Sequence, residues 1–199
     1  MLQIIGKQFR QPKGFLGRII SMLMKKGNRI AYDVIFEKLN IKDNENIFEI
    51  GYGHGIGIER ILSKNNCFVS GIDFSELMYK EASKRNKKHI ANNNARLYLG
   101  DFLTCKMDSG KYDKIFCINV TYFWDELEKP FSKIRAGLKD DGIFYFFMVH
   151  PDVLNNLKFT KDDIFNKYSI EKVVEKLKVS GFSNIDYEYK NGYYVMCKK

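Results

Sequence analysis

Between Asn46 and Ile61 the chain reads NIFEIGYGHGIGIERI, a short apolar run holding one acid, Glu49, and followed by alternate glycines at 51, 53, 55 and 57. No other stretch limits the fold as strongly. Glycine adopts positive φ without steric cost and carries no Cβ to hold a ligand off the backbone, and a helix that starts behind such a turn offers unpaired N–H groups. The run therefore predicts a strand, a sharp turn open to a ligand and a helix, an arrangement suited to a nucleotide-type cofactor. It departs from the dinucleotide fingerprint G-x-G-x-x-G: counted from Gly51 the third glycine falls on Ile56, and counted from Gly53 on Ile58. That glycine normally allows close helix–strand packing beneath a pyrophosphate, so its absence argues against NAD or FAD.

Periodicity extends the pattern. Near-continuous apolar runs predict strands at about Ile47–Gly51, Cys67–Asp73, Arg96–Leu99, Tyr112–Asn119 and Ile143–His150, as expected where helices cover both faces of a parallel sheet. Helices are expected between them at Gly55–Lys64, Ser75–His89 and Pro130–Lys139, with Ser75 as an N-cap and Pro130 suited to a first helical position. The tail changes character: SIEKVVEKLKVS, Ser169–Ser180, is amphipathic with Gly181 as its stop, and two strands flank Asn191-Gly192, a hairpin signal. The fold class is α/β, a Rossmann-like doubly wound sheet, mostly parallel with an antiparallel C-terminal hairpin.

Taken in order, these segments resemble the class I S-adenosylmethionine-dependent methyltransferases. EIGYGHG, Glu49–Gly55, resembles that family's first motif; GIDFSELM, with Asp73 lying 22 residues after Gly51, resembles its second; LGDFL resembles its Gly-Asp motif; and LKDDGIFYFFMV resembles the LKPGG turn and fifth strand, with Asp140-Asp141 in place of Pro-Gly. The match spans roughly Asn46 to Val149. It implies a seven-stranded sheet and S-adenosylmethionine as cofactor, with S-adenosylhomocysteine as product. By the same resemblance Glu49 and the backbone of Gly51, Tyr52, Gly53 and Gly55 bracket the methionine end, Asp73 accepts the ribose hydroxyls, Phe74, Asp101 and Phe102 surround the adenine, and Asn119 faces the transfer point. The implied reaction is in-line methyl transfer in which the protein supplies alignment, desolvation and binding.

At 199 residues, 45% of them hydrophobic, the chain can bury a full core without disulfides or metals. Its four cysteines, Cys67, Cys105, Cys117 and Cys197, lack C-x-x-C spacing and read as small buried hydrophobes of a reduced compartment, with no metal site implied. No signal peptide or membrane-length apolar run is visible, so a soluble cytoplasmic protein is expected. The net charge of +9 admits a nucleic-acid partner, with clusters at Lys25-Lys26-Arg29 and Lys84-Arg85-Lys87-Lys88, but the lysines are scattered. Asn119-Val120-Thr121-Tyr122 lacks the prolines of the N-P-P-Y amine methylases, and no Pro-Cys supports a cytosine C5 enzyme. A small-molecule O- or N-methyltransferase is the leading expectation. An RNA methyltransferase, a nucleotide-binding Rossmann protein of another class and a non-catalytic binder stand as alternatives.

Residues 1–40 lie outside the core, 41–199. Phe15, Ile19, Ile20, Leu23, Met24, Ile30, Val34, Ile35 and Leu39 give a helical apolar stripe interrupted by Gly27, read as a lid over the site, a structural cap or a basic interfacial helix. His150 is a candidate base at the end of the fifth strand, weighed against a strand-end histidine bonded to backbone. His54 sits inside the glycine turn, and His89 reads as a surface helix end. Tyr52, Tyr122, Phe123 and Trp124 form either an apolar substrate wall or packing under a loop.

Overall fold

The structure, a computed structural model, describes residues 6, 8, 10–157, 160 and 165–199; within the first long helix the side chains at 15, 16, 18 and 20–27 lie outside the description. The elements run α1 (Gly14–Leu39), β1 (Asn46–Ile50), α2 (Ile56–Leu62), β2 (Phe68–Asp73), α3 (Glu76–Arg85), α4 (Lys87–Ala91), β3 (Ala95–Leu99), β4 (Tyr112–Ile118), a 3-10 turn (Thr121–Phe123), α5 (Glu128–Gly137), β5 (Leu138–Met148), α6 (Pro151–Asn156), α7 (Ile170–Val179), β6 (Ser183–Tyr189) and β7 (Tyr193–Lys198). Seven strands form one sheet in the order β3-β2-β1-β4-β5-β7-β6, parallel except for β7, which runs antiparallel to both β5 and β6.

Strand alternation sends side chains to two cores. Phe48, Ile50, Ile115, Cys117, Phe144 and Phe146 meet α5 and α7 on one face. Ile47, Val69, Phe116, Ile118, Tyr145 and Phe147 meet α1 and α2 on the other, where Ile35 and Leu39 of α1 are fully buried. Full burial of an aliphatic side chain stabilises by about 1.5–3 kcal/mol, which is enough to dock α1 on the sheet.

Several boundaries differ from the sequence expectation, each for a physical reason. α1 runs through Gly27 without a break, and beyond it Ala31, Val34, Ile35 and Leu39 pack on the sheet; it stops at Asn40, whose φ of 44° is left-handed. Of the expected stripe, Phe15, Ile20, Leu23 and Met24, and the neighbouring Lys25 and Lys26, are side chains outside the description. The helix expected over Ser75–His89 is divided at Asn86, whose side-chain amide donates both to the Gly55 carbonyl and back to the Ala82 carbonyl. α5 begins at Glu128, so Pro130 is its third residue, still in the first turn where a missing N–H breaks no helical bond. β5 starts five residues earlier than expected, at Leu138, across a register shift opposite Tyr112 and Lys114. Ser75 caps α3 as expected, its Oγ accepting from the Met78 N–H at 3.4 Å. Among the described residues no helix is long and apolar enough to cross a membrane.

Candidate cofactor site

The carboxyl ends of β1, β2 and β4 border a cavity of about 180 Å³. That is room for roughly a dozen waters, which makes it a ligand-sized space and not a packing defect. Its position, where connections leave the sheet on opposite faces, is where open α/β sheets hold ligands.

The glycine turn forms one wall, with three of its glycines in the left-handed region, Gly51 at φ 73°, Gly53 at 51° and Gly55 at 69°. They serve different ends. A Cβ on Gly51 would meet the Val120 side chain at 2.6 Å, and one on Gly55 would meet Asn86 Nδ2 at 2.5 Å, so both are required by packing. At Gly53 a Cβ would meet nothing within 4 Å, and the residue lines the cavity, so there the bare backbone faces the ligand space.

Asp73 ends β2 with one oxygen accepting from the Gly53 N–H and the other from the Ser75 N–H, both at 2.9 Å. It therefore ties the glycine turn to the start of α3. Burial raises its carboxyl to about 6, the two backbone hydrogen bonds acting in the opposite direction. Phe74, Asp101 and Phe102 line the same cavity; Asp101 accepts from the Leu103 N–H at 2.8 Å, and the Phe102 ring is held between Phe48 and Trp124. Tyr52 contributes backbone to the wall while its ring is buried and its hydroxyl donates to the Tyr98 carbonyl.

Glu49 lies one step back. Alternation along β1 sends it to the α1 face, where it is 1% exposed and does not line the cavity. Its Oε1 accepts from the Tyr32 hydroxyl at 2.7 Å, while Oε2 rests on the start of α2, 2.6 Å from where a Gly57 Cβ would be. The fourth glycine of the run thus makes space for this carboxylate. Burial lifts the Glu49 carboxyl to about 8, the Tyr32 bond opposing and the Asp73 charge reinforcing the rise.

Asn119 follows β4 at φ 60°, a conformation asparagine tolerates. Its Nδ2 donates to Asn28 Oδ1 of α1 at 2.8 Å, and its buried Oδ1 has no hydrogen-bond partner among the described residues.

The N-terminal segment completes the enclosure through Arg10, Pro12, Asn28 and Tyr32. Gln11 donates to the Phe74 carbonyl and Ser75 to the Pro12 carbonyl, so residues 11 and 12 are strapped across the β2–α3 turn. None of these was legible as a site residue, although a tyrosine on the buried stripe of α1 signals a hydroxyl in need of a partner.

His150 stands elsewhere. Its ring caps α6, Nδ1 accepting from the Asp152 N–H at 3.1 Å, and packs against Tyr189 and Tyr193. It does not line the cavity, and the backbone-bonded reading of this histidine is the one observed. Phe123 and Trp124 do line it, whereas Tyr122 packs under the loop on Phe165. Of the basic clusters, Arg85 is drawn into the fold by the His54 carbonyl and Glu59, which leaves no uniform cationic face there.

Whether the residues fit S-adenosylmethionine can be judged from their hydrogen-bonding character. Of the groups lining the cavity, Asn119 Oδ1 is an acceptor with no partner among the described residues, Asp73 and Asp101 are acids, and Arg10 is the one Lys or Arg among the described residues. Such a set suits a ligand that brings donors and positive charge, an ammonium, a sulfonium and ribose hydroxyls, and opposes a pyrophosphate.

The strand order and the place of the cavity define a class, the Rossmann-like class I methyltransferases. The chain's similarities in sequence lie with methyltransferases. A family model described as a methyltransferase domain matches residues 47–142. An uncharacterized methyltransferase of Bacillus subtilis, YdaC, is 26% identical over 174 residues, covering 87% of this chain and 91% of that protein. A sterol 24-C-methyltransferase of Clavispora lusitaniae is 26% identical over 162 residues, 76% of this chain and 43% of that one. Among solved structures, phosphoethanolamine N-methyltransferase 2 of Haemonchus contortus, in complex with S-adenosyl-L-methionine, superposes with a TM-score of 0.70 at 20% identity, covering 80% of this chain and 38% of that one. The chain thus spans most of the first relative and less than half of the other two.

Proposed function

We propose that the protein is an enzyme that methylates O or N of a small molecule, with S-adenosylmethionine as donor. The observation that carries this reading is the cavity at the ends of β1, β2 and β4, walled by the open backbone at Gly53 and by Asp73. When bound, the cofactor supplies a methyl group already electrophilic on its sulfonium. Asp73 would hold the ribose hydroxyls, Phe74, Asp101 and Phe102 the adenine, and Gly51, Tyr52, Gly53 and Gly55 the methionine end through backbone. Asn119 borders the transfer point.

The chain's remaining work is orientation and exclusion of water. Ile50, Ile118, Val120, Phe123 and Trp124 give the cavity apolar walls, which favour an acceptor with an apolar or aromatic body. The strap at Gln11-Pro12 and α1 cover the site, so residues 1–40 act as a lid on a core of residues 41–199. A cytoplasmic location suits the four cysteines, three of them buried as thiols.

Calorimetric titration with S-adenosylmethionine, S-adenosylhomocysteine and NAD, with Asp73→Ala as control, tests the reading. Micromolar binding of the first two, lost in the variant, supports it; binding of NAD alone, or of none, overturns it.

A further inference from the structure

Tyr32 belongs to α1, yet it reaches both the cavity and the buried acid behind the glycine turn. Its ring lines the cavity while its hydroxyl proton is committed to Glu49 Oε1 at 2.7 Å. A hydroxyl that donates in one direction keeps its oxygen lone pairs free to accept from another, and donation to a carboxylate increases the negative charge on that oxygen. Asn28, one helical turn earlier on α1, also lines the cavity and fixes the amide of Asn119, whose Oδ1 is an unpartnered acceptor. Two acceptors are thus held against the β1 and β4 ends by one helix.

We propose that Tyr32 and Glu49 form a proton-coupled relay for the cofactor's ammonium group, in which the Tyr32 oxygen touches the ammonium and Glu49 releases a proton to solvent as the ligand binds. The inference rests on S-adenosylmethionine being the ligand. Glu49 goes from carboxylic acid to carboxylate, Tyr32 keeps its own proton, and the buried negative charge so formed is balanced by the arriving cation.

The surroundings of Glu49 explain why the proton is present beforehand. From β2, Asp73 adds negative charge; from β4, Cys117 lies close behind it and is held as a thiol by burial; α2 contributes the Gly57 backbone against Oε2, and Arg60 of that helix acts on Tyr32 with a lesser, opposite influence. Among the described residues no cation pairs with Glu49 itself, and its carboxyl lies near 8. An acid in that state ionises when a positive charge is brought to its hydrogen-bond partner.

The test compares S-adenosylmethionine with 5′-methylthioadenosine, which keeps the adenosine and the sulfur but lacks the amino acid. Titrations at pH 7 in two buffers of different ionisation enthalpy count protons. Wild type is expected to release between a half and one proton with S-adenosylmethionine and none with methylthioadenosine, and its affinity for the former should rise towards tenfold per pH unit up to about pH 8. Tyr32→Phe should weaken S-adenosylmethionine about tenfold and abolish the proton release while weakening methylthioadenosine far less, and the lost buried hydrogen bond should lower the melting temperature. Glu49→Gln should bind independently of pH.

Binding by wild type without proton release, equal weakening of both ligands in Tyr32→Phe, or proton release that persists in Glu49→Gln and so belongs to Asp73, would overturn the relay. Failure of wild type to bind either ligand would instead remove the cofactor assignment on which it rests.

Discussion

The side-chain amide of Asn86 donates to the carbonyl of Gly55 at 2.9 Å, across 31 residues of sequence, and to the Ala82 carbonyl at 3.0 Å. The residue that divides α3 from α4 is therefore the buried prop under the glycine turn. Only a residue without a Cβ fits above it, since a Cβ on Gly55 would also meet Ala82 Cβ at 2.8 Å.

Gly55→Ala and Gly53→Ala should consequently fail in different ways. At Gly55 the left-handed φ and the clash with Asn86 and Ala82 act together, and a stability loss of about 2–4 kcal/mol is expected from urea unfolding. At Gly53 the strain is about 1–2 kcal/mol with no clash, but the methyl enters the ligand space, so cofactor affinity in calorimetry should fall at least tenfold. Equal loss of affinity per unit of stability in the two variants would contradict this division.

What the sequence made legible was local. Gly51 to Gly57, Asp73 at a strand end and the apolar runs of β1, β4 and β5 carry their signal within a few residues, while the seven-stranded sheet was what the resemblance implied and is the sheet observed. The resemblance placed Glu49 on the cofactor, whereas strand alternation turns it to the α1 face beneath Tyr32. Tyr32, Asn28 and Pro12 remained invisible because their roles depend on where a 26-residue helix and the strap before it dock, and that is decided by side chains far away in sequence. Gly27 interrupts the apolar stripe without ending the helix: glycine weakens a helix by about 1 kcal/mol, which the buried packing of Ile35 and Leu39 outweighs.

Stability should fall as pH rises from about 4.5 to 8. Glu49 is raised from 4.5 to about 8, so over that window the folded chain holds a proton that the unfolded chain has lost, and Asp73, raised from 3.8 to about 6, acts in the same direction below pH 6. Between pH 6 and 8.5 the ligand-free wild type is expected to lose on the order of 2 kcal/mol in urea unfolding. Glu49→Gln should remove most of that slope, because only the acid titrates there. A flat wild-type profile would show that Glu49 is ionised throughout.

His150→Ala tests the exclusion of this residue from the chemistry. Losing the cap on α6 should cost about 1 kcal/mol. Because the ring does not line the cavity, kcat and the shape of its pH profile should stay within about twofold of wild type once an acceptor is found. Loss of a limb of the pH profile in the variant would restore His150 as a base.

Gln11→Ala isolates the strap. The Gln11 amide donates to the Phe74 carbonyl at 3.2 Å over a half-buried surface, and the neighbouring Pro12 carbonyl accepts from Ser75 at 2.8 Å. Removing one of two such bonds from a segment near the surface should change global stability by less than about 1 kcal/mol. The strap crosses the turn that presents Asp73 and Phe74 to the cavity, so its lifting would open a way out for a bound cofactor. Faster cofactor dissociation, by about three- to tenfold in stopped-flow displacement with an unchanged melting temperature, is therefore expected. An unaltered dissociation rate would mean that the cofactor leaves by a route that the strap does not cover.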